Sequence, residues 1–417
     1  MRKTFTPRPW QPPMIAHALS RKRWGLWCPM GSGKTSAVLT VLEHYRLLGV
    51  HMPALIVAPK RVARDTWPDE VAKWEHLADM TVECIIGTPE QRLAAVRSAL
   101  RGKSDVYTIN YENLPWLIEQ VGAKWPFKYV IADESTKLKG FRLRQGSSRA
   151  KALAKVAWKK VECFGELTGT PSPNGLQDLW GPTWFLDRGE RLCQTFSAFR
   201  ARWFRQSHNG FGYEPTESAE REIHEALGDL YLTIDLADYI DVQKPNEVRV
   251  SVTLPPDAEA YYRQMEREMF LEIDDSPVEA FNAASRTVKC LQIANGAIYT
   301  DDNGKWSNIH DAKLDALDEI IEEANGNPLL VAYQFKSDLA RLRKRFPNGL
   351  ILADAKDMTK FKSGKYPLAF GHPASMGHGV DGLQHACHNV AFFGHWWNLE
   401  ERQQMIERVG PTRQMQA

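Results

Sequence analysis

The chain has 417 residues, and its 53 Lys and Arg against 51 Asp and Glu leave a formal net charge of +2. With 43% apolar and 25% charged residues, it is neither a disordered chain, a collagen-like chain nor a small stapled scaffold. A balance so near neutrality excludes a polybasic tail binder, so contact with a polyanion must come from local patches.

This length corresponds to about two to three domains. The start, MRKTFTPRPWQPP, is basic but lacks the apolar stretch of a signal peptide. Short apolar runs then predict strands at Trp24–Cys28, Ala54–Ala58, Val82–Ile86, Asp105–Ile109, Lys128–Ala132 and Val161–Leu167. Helical patterns lie between them, including Ser36–Leu48 and Val62–Trp74. Strands alternating with helices indicate an α/β fold with a parallel sheet covered on both faces. Ligands bind such sheets at the carboxyl ends of the strands, so the loops after these strands are the candidate sites.

The rhythm breaks over residues 187–250, which read as a mainly helical insertion or connector. It contains the aromatic and basic run Phe196-Ser-Ala-Phe-Arg-Ala-Arg-Trp-Phe-Arg205. A second α/β pattern follows. Helix Ala312–Asn325 precedes strand Leu329–Tyr333, with further strands at Gly349–Ala353, Leu368–Gly371 and Asn389–Phe393. The expected domains are therefore 1–186, a connector at 187–250, and 251–417. No run of about 18 apolar residues predicts a membrane-spanning helix. Six scattered cysteines without a Cys-x-x-Cys read as buried thiols of a reduced, cytoplasmic protein.

The first candidate site follows the strand ending at Cys28. Pro29-Met-Gly-Ser-Gly-Lys-Thr35 runs into a helix. Gly31, Ser32 and Gly33 let backbone N–H groups wrap a phosphate, and the helix N-terminus favours an anion. Lys34 would reach the β- and γ-phosphates and the Thr35 hydroxyl would hold Mg²⁺. Cys28 stands where the full phosphate-loop pattern has glycine. The second site is Asp133-Glu134, after the apolar run Tyr129–Ala132. One carboxylate suits Mg²⁺, and the next suits orientation of an attacking water.

Taken in order, these segments resemble the superfamily 2 helicases, and within them the Swi/Snf-like branch of DNA-dependent ATPases. Arg8-Pro-Trp-Gln11 is similar to the adenine-recognising segment, Gly31–Thr35 to motif I, and Leu55–Pro59 with Trp67 to motif Ia. Asp133-Glu-Ser-Thr136 resembles motif II. Leu167-Thr-Gly-Thr-Pro171, with Asn174 and Asp178-Leu-Trp180, resembles motif III. In the second half, Leu329–Gln334, Ser375–Gly379 with Leu383-Gln384, and Trp396–Asn398 with Gln404–Arg408 are similar to motifs IV, V and VI. The compact style is most like phage-encoded or prophage-encoded members.

The resemblance implies two RecA-like domains and an ATP-dependent DNA translocase or helicase. Arg8, Gln11 and Gln404 would join the phosphate loop in binding ATP. Lys34, Asp133, Glu134 and Arg408 would carry catalysis. The branch places a second motif VI arginine three residues after the first, where this chain has Pro411; Arg413 is the expected substitute. The family also continues with a strand and a helix beyond this point, which the second domain would lack.

Partners follow from the same reasoning. Residues 136–160 hold nine Lys and Arg and no acid, a candidate phosphate track or a solvated helix face. Lys60 and Arg61 in the motif Ia loop, Lys137 and Lys139, Thr168 and Thr170, Arg202 and Ser375 are the expected DNA-contacting residues. Duplex or forked DNA is expected over RNA, in phage replication or recombination. The alternatives are the motor of a restriction or nuclease assembly, and a nucleotide-gated DNA-binding module with little turnover. His372, His378, His385, His388 and His395, with Cys387, match no zinc spacing, and no zinc site is assigned to them.

Overall fold

The computed structural model describes residues 2–410 apart from 30, 145, 174, 208–211, 240–245, 274–275, 302, 377–382, 384–385 and 396–397. The chain divides into two compact units, Met1–Val242 and Gln243–Ala417. Among the described residues no helix is long and apolar enough to cross a membrane.

In the first unit, α1 (Gln11–Leu19) leads to β1 (Arg23–Trp27), α2 (Lys34–Leu48), β2 (Ala54–Ala58), α3 (Trp67–Lys73) and β3 (Val82–Cys84). The alternation continues through α4 (Pro89–Leu100), β4 (Val106–Asn110), α5 (Leu114–Val121), β5 (Tyr129–Asp133), α6 (Ser148–Ala157) and β6 (Cys163–Thr168). Then come α7 (Trp180–Asp187), α8 (Phe196–Trp203), the antiparallel pair β7 (Phe204–Gln206) and β8 (Tyr213–Pro215), α9 (Ala219–Leu227) and β9 (Tyr231–Thr233).

Seven strands form one parallel sheet in the order β3-β4-β2-β5-β6-β1-β9. The central strands β2, β5 and β6 are buried at every position because helices cover both faces. Successive residues therefore feed two cores. Leu55, Val57, Val130 and Ala132 enter one, and Ala54, Ile56, Ala58 and Ile131 enter the other.

Two expectations are refined here. The helix expected over Val62–Trp74 opens as a wide π-turn over Val62–Thr66 before α3. Pro68 explains it, since proline has no N–H to donate and its ring clashes with the carbonyl four residues back. Thr108 Oγ1 donates to the Ala63 carbonyl at 2.5 Å, and the Cys84 thiol lies 3.8 Å from the Arg64 carbonyl. The segment expected as a connector at 187–250 holds helices α8 and α9 and the short strands β7, β8 and β9. Phe199, Trp203, Ile223 and Leu227 are buried in the first unit's core, and β9 pairs with β1. Gly25 permits this: a Cβ there would stand 2.0 Å from the Tyr231 ring.

The second unit begins with α10 (Pro256–Glu268), the hairpin β10 (Phe270–Ile273) and β11 (Ser276–Glu279), α11 (Ala283–Asn295), and the hairpin β12 (Ala297–Tyr299) and β13 (Trp306–Asn308). Next are α12 (Ala312–Glu323), β14 (Leu329–Ala332), α13 (Lys336–Arg345), β15 (Leu350–Ile351), α14 (Ala355–Lys362), β16 (Leu368–Gly371), α15 (Pro373–Met376), β17 (Asn389–Phe392) and α16 (Leu399–Val409). Its parallel sheet has the order β15-β16-β14-β17. Each unit is thus a parallel sheet flanked by helices, as the α/β expectation required.

Candidate functional site

Strand order assembles the first unit's site. Asp133 pairs with Leu167, and Trp27 pairs with Thr168. The carboxyl ends of β5, β6 and β1 therefore lie side by side and bring Asp133, Thr168 and the loop after Trp27 to one edge. The Cys28 N–H donates to the Thr168 carbonyl at 3.1 Å, which ties that loop to the end of β6.

The loop itself is held from behind by α1. Gly31 and Gly33 sit at φ 77° and 79°, a left-handed region that favours glycine. The Gln11 amide donates to the Gly33 carbonyl and to Ser36 Oγ, each at 3.0 Å, and accepts from the Arg8 N–H at 2.8 Å. The Trp10 indole donates to the Ser32 carbonyl at 2.7 Å. The Arg8 guanidinium lies 3.4 Å from the Gly31 carbonyl. A Cβ on Gly33 would fall 2.5 Å from Gln11 Nε2, so the glycine serves this packing as well as its own backbone.

Lys34 turns back on the loop and donates to the carbonyls of Cys28 at 2.6 Å and Pro29 at 2.9 Å. Buried Ser32 Oγ has no hydrogen-bond partner among the described residues. A donor left unused inside a glycine loop, beside an ammonium satisfied only by backbone carbonyls, matches the needs of an anionic phosphate.

Asp133 is buried at the end of β5. Its carboxylate accepts from the Trp67 indole at 2.9 Å and from the Glu134 N–H at 3.1 Å. Burial pushes its pKa up, while the Trp67 hydrogen bond, the Lys34 charge and the Glu134 N–H hold it down. A carboxylate buried within the field of a lysine is suited to a divalent cation. Glu134 has φ 54° and ψ 57°, a left-handed conformation uncommon for glutamate, held as Tyr111 donates to the carbonyls of Asp133 at 2.8 Å and Glu134 at 3.4 Å.

The other expected residues are scattered over both units. Thr168 is buried and its Oγ1 accepts from the Thr170 N–H at 3.1 Å. Lys60 and Arg202 are exposed, and Arg61, Lys137 and Lys139 are half-buried. Lys139 lies 3.5 Å from Asp178. In the second unit, Gln404 and Arg408 are buried on α16, and the Ser375 hydroxyl donates to the His372 carbonyl at 2.8 Å. Arg413 lies outside the described residues, as do Asn174, most of the motif V segment and Trp396.

Trp10, Ser36, Trp67 and Tyr111 brace this site, yet none was among its expected residues. Trp10 and Trp67 lay inside quoted motifs, but nothing in the sequence said where their indoles point. A deeper surprise is Glu166, 1% exposed in the middle of β6. Its Oε2 accepts from the Tyr231 hydroxyl at 3.0 Å, and among the described residues no donor reaches Oε1 within hydrogen-bonding geometry. Burial pushes its pKa up to about 8, against the Tyr231 hydrogen bond that lowers it; nearby Asp187 raises it and the Ser135 hydroxyl lowers it.

Comparisons with known proteins bear on the family and the fold. The family defined by the SNF2-related domain matches residues 23–295. "Putative protein p41" of Acyrthosiphon pisum secondary endosymbiont phage 1 is 51% identical over 421 residues, covering all of this chain and 91% of that protein. A human SWI/SNF-related regulator of chromatin, subfamily A member 1, is 30% identical over 161 residues; the match spans 38% of this chain and 14% of that protein. Among solved structures, the SWI2/SNF2 ATPase core of Sulfolobus solfataricus in complex with dsDNA superposes with a TM-score of 0.50 at 21% identity, covering 99% of this chain and 86% of that one.

Proposed function

Because the chain belongs to the SNF2-related family, we propose that it hydrolyses ATP and couples turnover to movement along, or remodelling of, duplex DNA. The observation that carries this reading is the meeting of Lys34, Asp133 and the left-handed Glu134 at one sheet edge. In the reading, Lys34 leaves the Cys28 and Pro29 carbonyls to hold the terminal phosphates. Gly31, Ser32 and Gly33 offer backbone N–H groups. Thr35 and Asp133 hold Mg²⁺, which would neutralise charge on the phosphoryl oxygens. Trp67 keeps Asp133 in place, and Glu134 orients the attacking water. Arg408, and Arg413 beyond the described residues, are proposed to add positive charge, and Gln404 to bind nucleotide.

Lys60, Arg61, Lys137, Lys139, Thr168, Thr170, Arg202 and Ser375 are the proposed DNA contacts. The phage relative supports a phage setting, and replication or recombination in a bacterial host's cytoplasm is the role proposed there. ATP hydrolysis should be measured alone and with duplex DNA, single-stranded DNA or RNA. Stimulation of about ten-fold or more by duplex DNA is expected. Equal turnover in all four conditions would sink the DNA-motor reading.

Gln11 separates two roles. All three of its amide hydrogen bonds go to the loop and to Arg8. If bracing dominates, Gln11→Ala should raise the KM for ATP and GTP alike, by roughly ten-fold for two or three lost hydrogen bonds. A loss confined to ATP would mark base recognition instead.

A further inference from the structure

Overlapping the candidate phosphate track at Arg142 lies a cluster that the ATP site does not use. The Arg142 guanidinium stands 3.4 Å from the Phe196 ring centre and 5.8 Å from that of Trp180. The Arg200 guanidinium stands 4.0 Å from the Tyr213 ring centre and 5.8 Å from that of Phe196. Trp180, Arg142, Phe196, Arg200 and Tyr213 thus alternate ring and cation from the buried core out to the surface. Trp180 is buried, Phe196 half-buried, and Tyr213, at the outer end on β8, is 41% exposed.

The ladder is anchored to the sheet's functional edge. Arg142 donates to the carbonyls of Lys139 and Phe141, in the segment after β5. Gln177, in the segment after β6, donates to the Tyr213 carbonyl at 3.4 Å. Arg144, Arg202 and Arg205 are exposed in the same segments, and the nearby acids are Asp178, whose charge acts on Arg142, and Glu214, across from Arg205. Guanidinium and aromatic planes in series, with further cations around them, are the chemistry of a base-stacking platform.

A platform of this kind cannot work on an intact duplex, where each base face is covered by its neighbours. It needs a base that is unpaired or stands at a duplex end. We propose that Tyr213 and Arg200 form a stacking site for an unpaired nucleobase, placed where single-stranded DNA leaves a duplex. The site rests on the DNA reading above and extends it from the duplex to the junction.

The test uses 2-aminopurine, whose fluorescence falls on stacking, at the first unpaired position of a fork. Anisotropy on blunt duplex, fork and single strand is measured with the same chain. Wild type should quench the probe. Tyr213→Ala and Arg200→Ala should lose the quench and roughly five- to fifty-fold in affinity for fork and single strand. Their affinity for blunt duplex should change less than about two-fold. Tyr213→Phe keeps the ring and should behave as wild type, which separates stacking from a folding defect. Unchanged fork binding and quenching in Tyr213→Ala, with duplex binding intact, would overturn the stacking site and spare the duplex reading. Tyr213-dependent single-strand binding without any duplex binding would do the reverse. Binding to none of the three DNAs would overturn both.

Discussion

Lys34→Ala should lower ATP turnover by about 10²- to 10³-fold while leaving the first unit folded. The expected size follows from the chemistry: phosphoryl transfer depends on positioning and charge stabilisation, and one well-placed charged donor is worth roughly 10²–10³. Here the lysine would both hold the terminal phosphates and set the field around Asp133. Folding should survive because Lys34 Nζ donates only to the carbonyls of Cys28 and Pro29, at the half-buried mouth of the loop. Losing two such bonds costs about 1–3 kcal/mol. The measurements are steady-state hydrolysis with duplex DNA, a thermal melt, and DNA binding without nucleotide. Turnover within ten-fold of wild type would remove Lys34 from the catalytic role. A melting temperature lower by more than about 10 °C would show that the lysine is structural first.

The second large effect concerns Glu166 and is a stability effect. Its folded pKa of about 8 lies above the ordinary 4.5, so between these values the folded chain keeps a proton that the unfolded chain has lost. Stability from this group is fully present below about pH 4.5 and is lost as pH rises toward 8. At about 1.4 kcal/mol for each pH unit, the total is on the order of 5 kcal/mol. Glu166→Gln supplies a neutral group of the same shape. The variant should melt close to wild type at pH 4.5. At pH 8.5 it should melt higher by roughly 10–20 °C, at about 2–4 °C per kcal/mol for a unit of this size. Other groups titrate over the same range, so the readout is the difference between the two proteins at each pH. A difference that does not grow with pH would mean that Glu166 stays ionised in the folded chain.

These two residues differ in how openly the sequence declares them. Lys34 sits in a pattern whose function is local: a strand end, glycines at left-handed positions, then a helix N-terminus. Asp133-Glu134 is legible for the same reason, since an apolar run ending in acids marks the carboxyl end of a buried strand. The order of strands and helices was equally open. The central strands are mostly apolar runs and each intervening helix has its own period, so most boundaries fall within two residues of expectation. Pro68 carried the one local detail that was readable but unread, the wide turn before α3.

What only the tertiary structure decided depends on partners far apart in the chain. Strand β9 is three residues long and has no pattern of its own. It is a strand because β1 offers it an edge and Gly25 leaves room for Tyr231. That pairing closes Glu166 off from water. A glutamate in an apolar run reads as an exception until Tyr231, 65 residues later, arrives to bond it. The ladder from Trp180 to Tyr213 likewise joins four segments whose shared feature, a scatter of arginines and aromatics, reads equally well as a solvated helix face. Local chemistry determined the fold class and the phosphate loop, because backbone conformation and apolar period are set by neighbours in sequence. Burial, pKa and stacking were decided by contacts across the fold, because each depends on what surrounds a side chain in space.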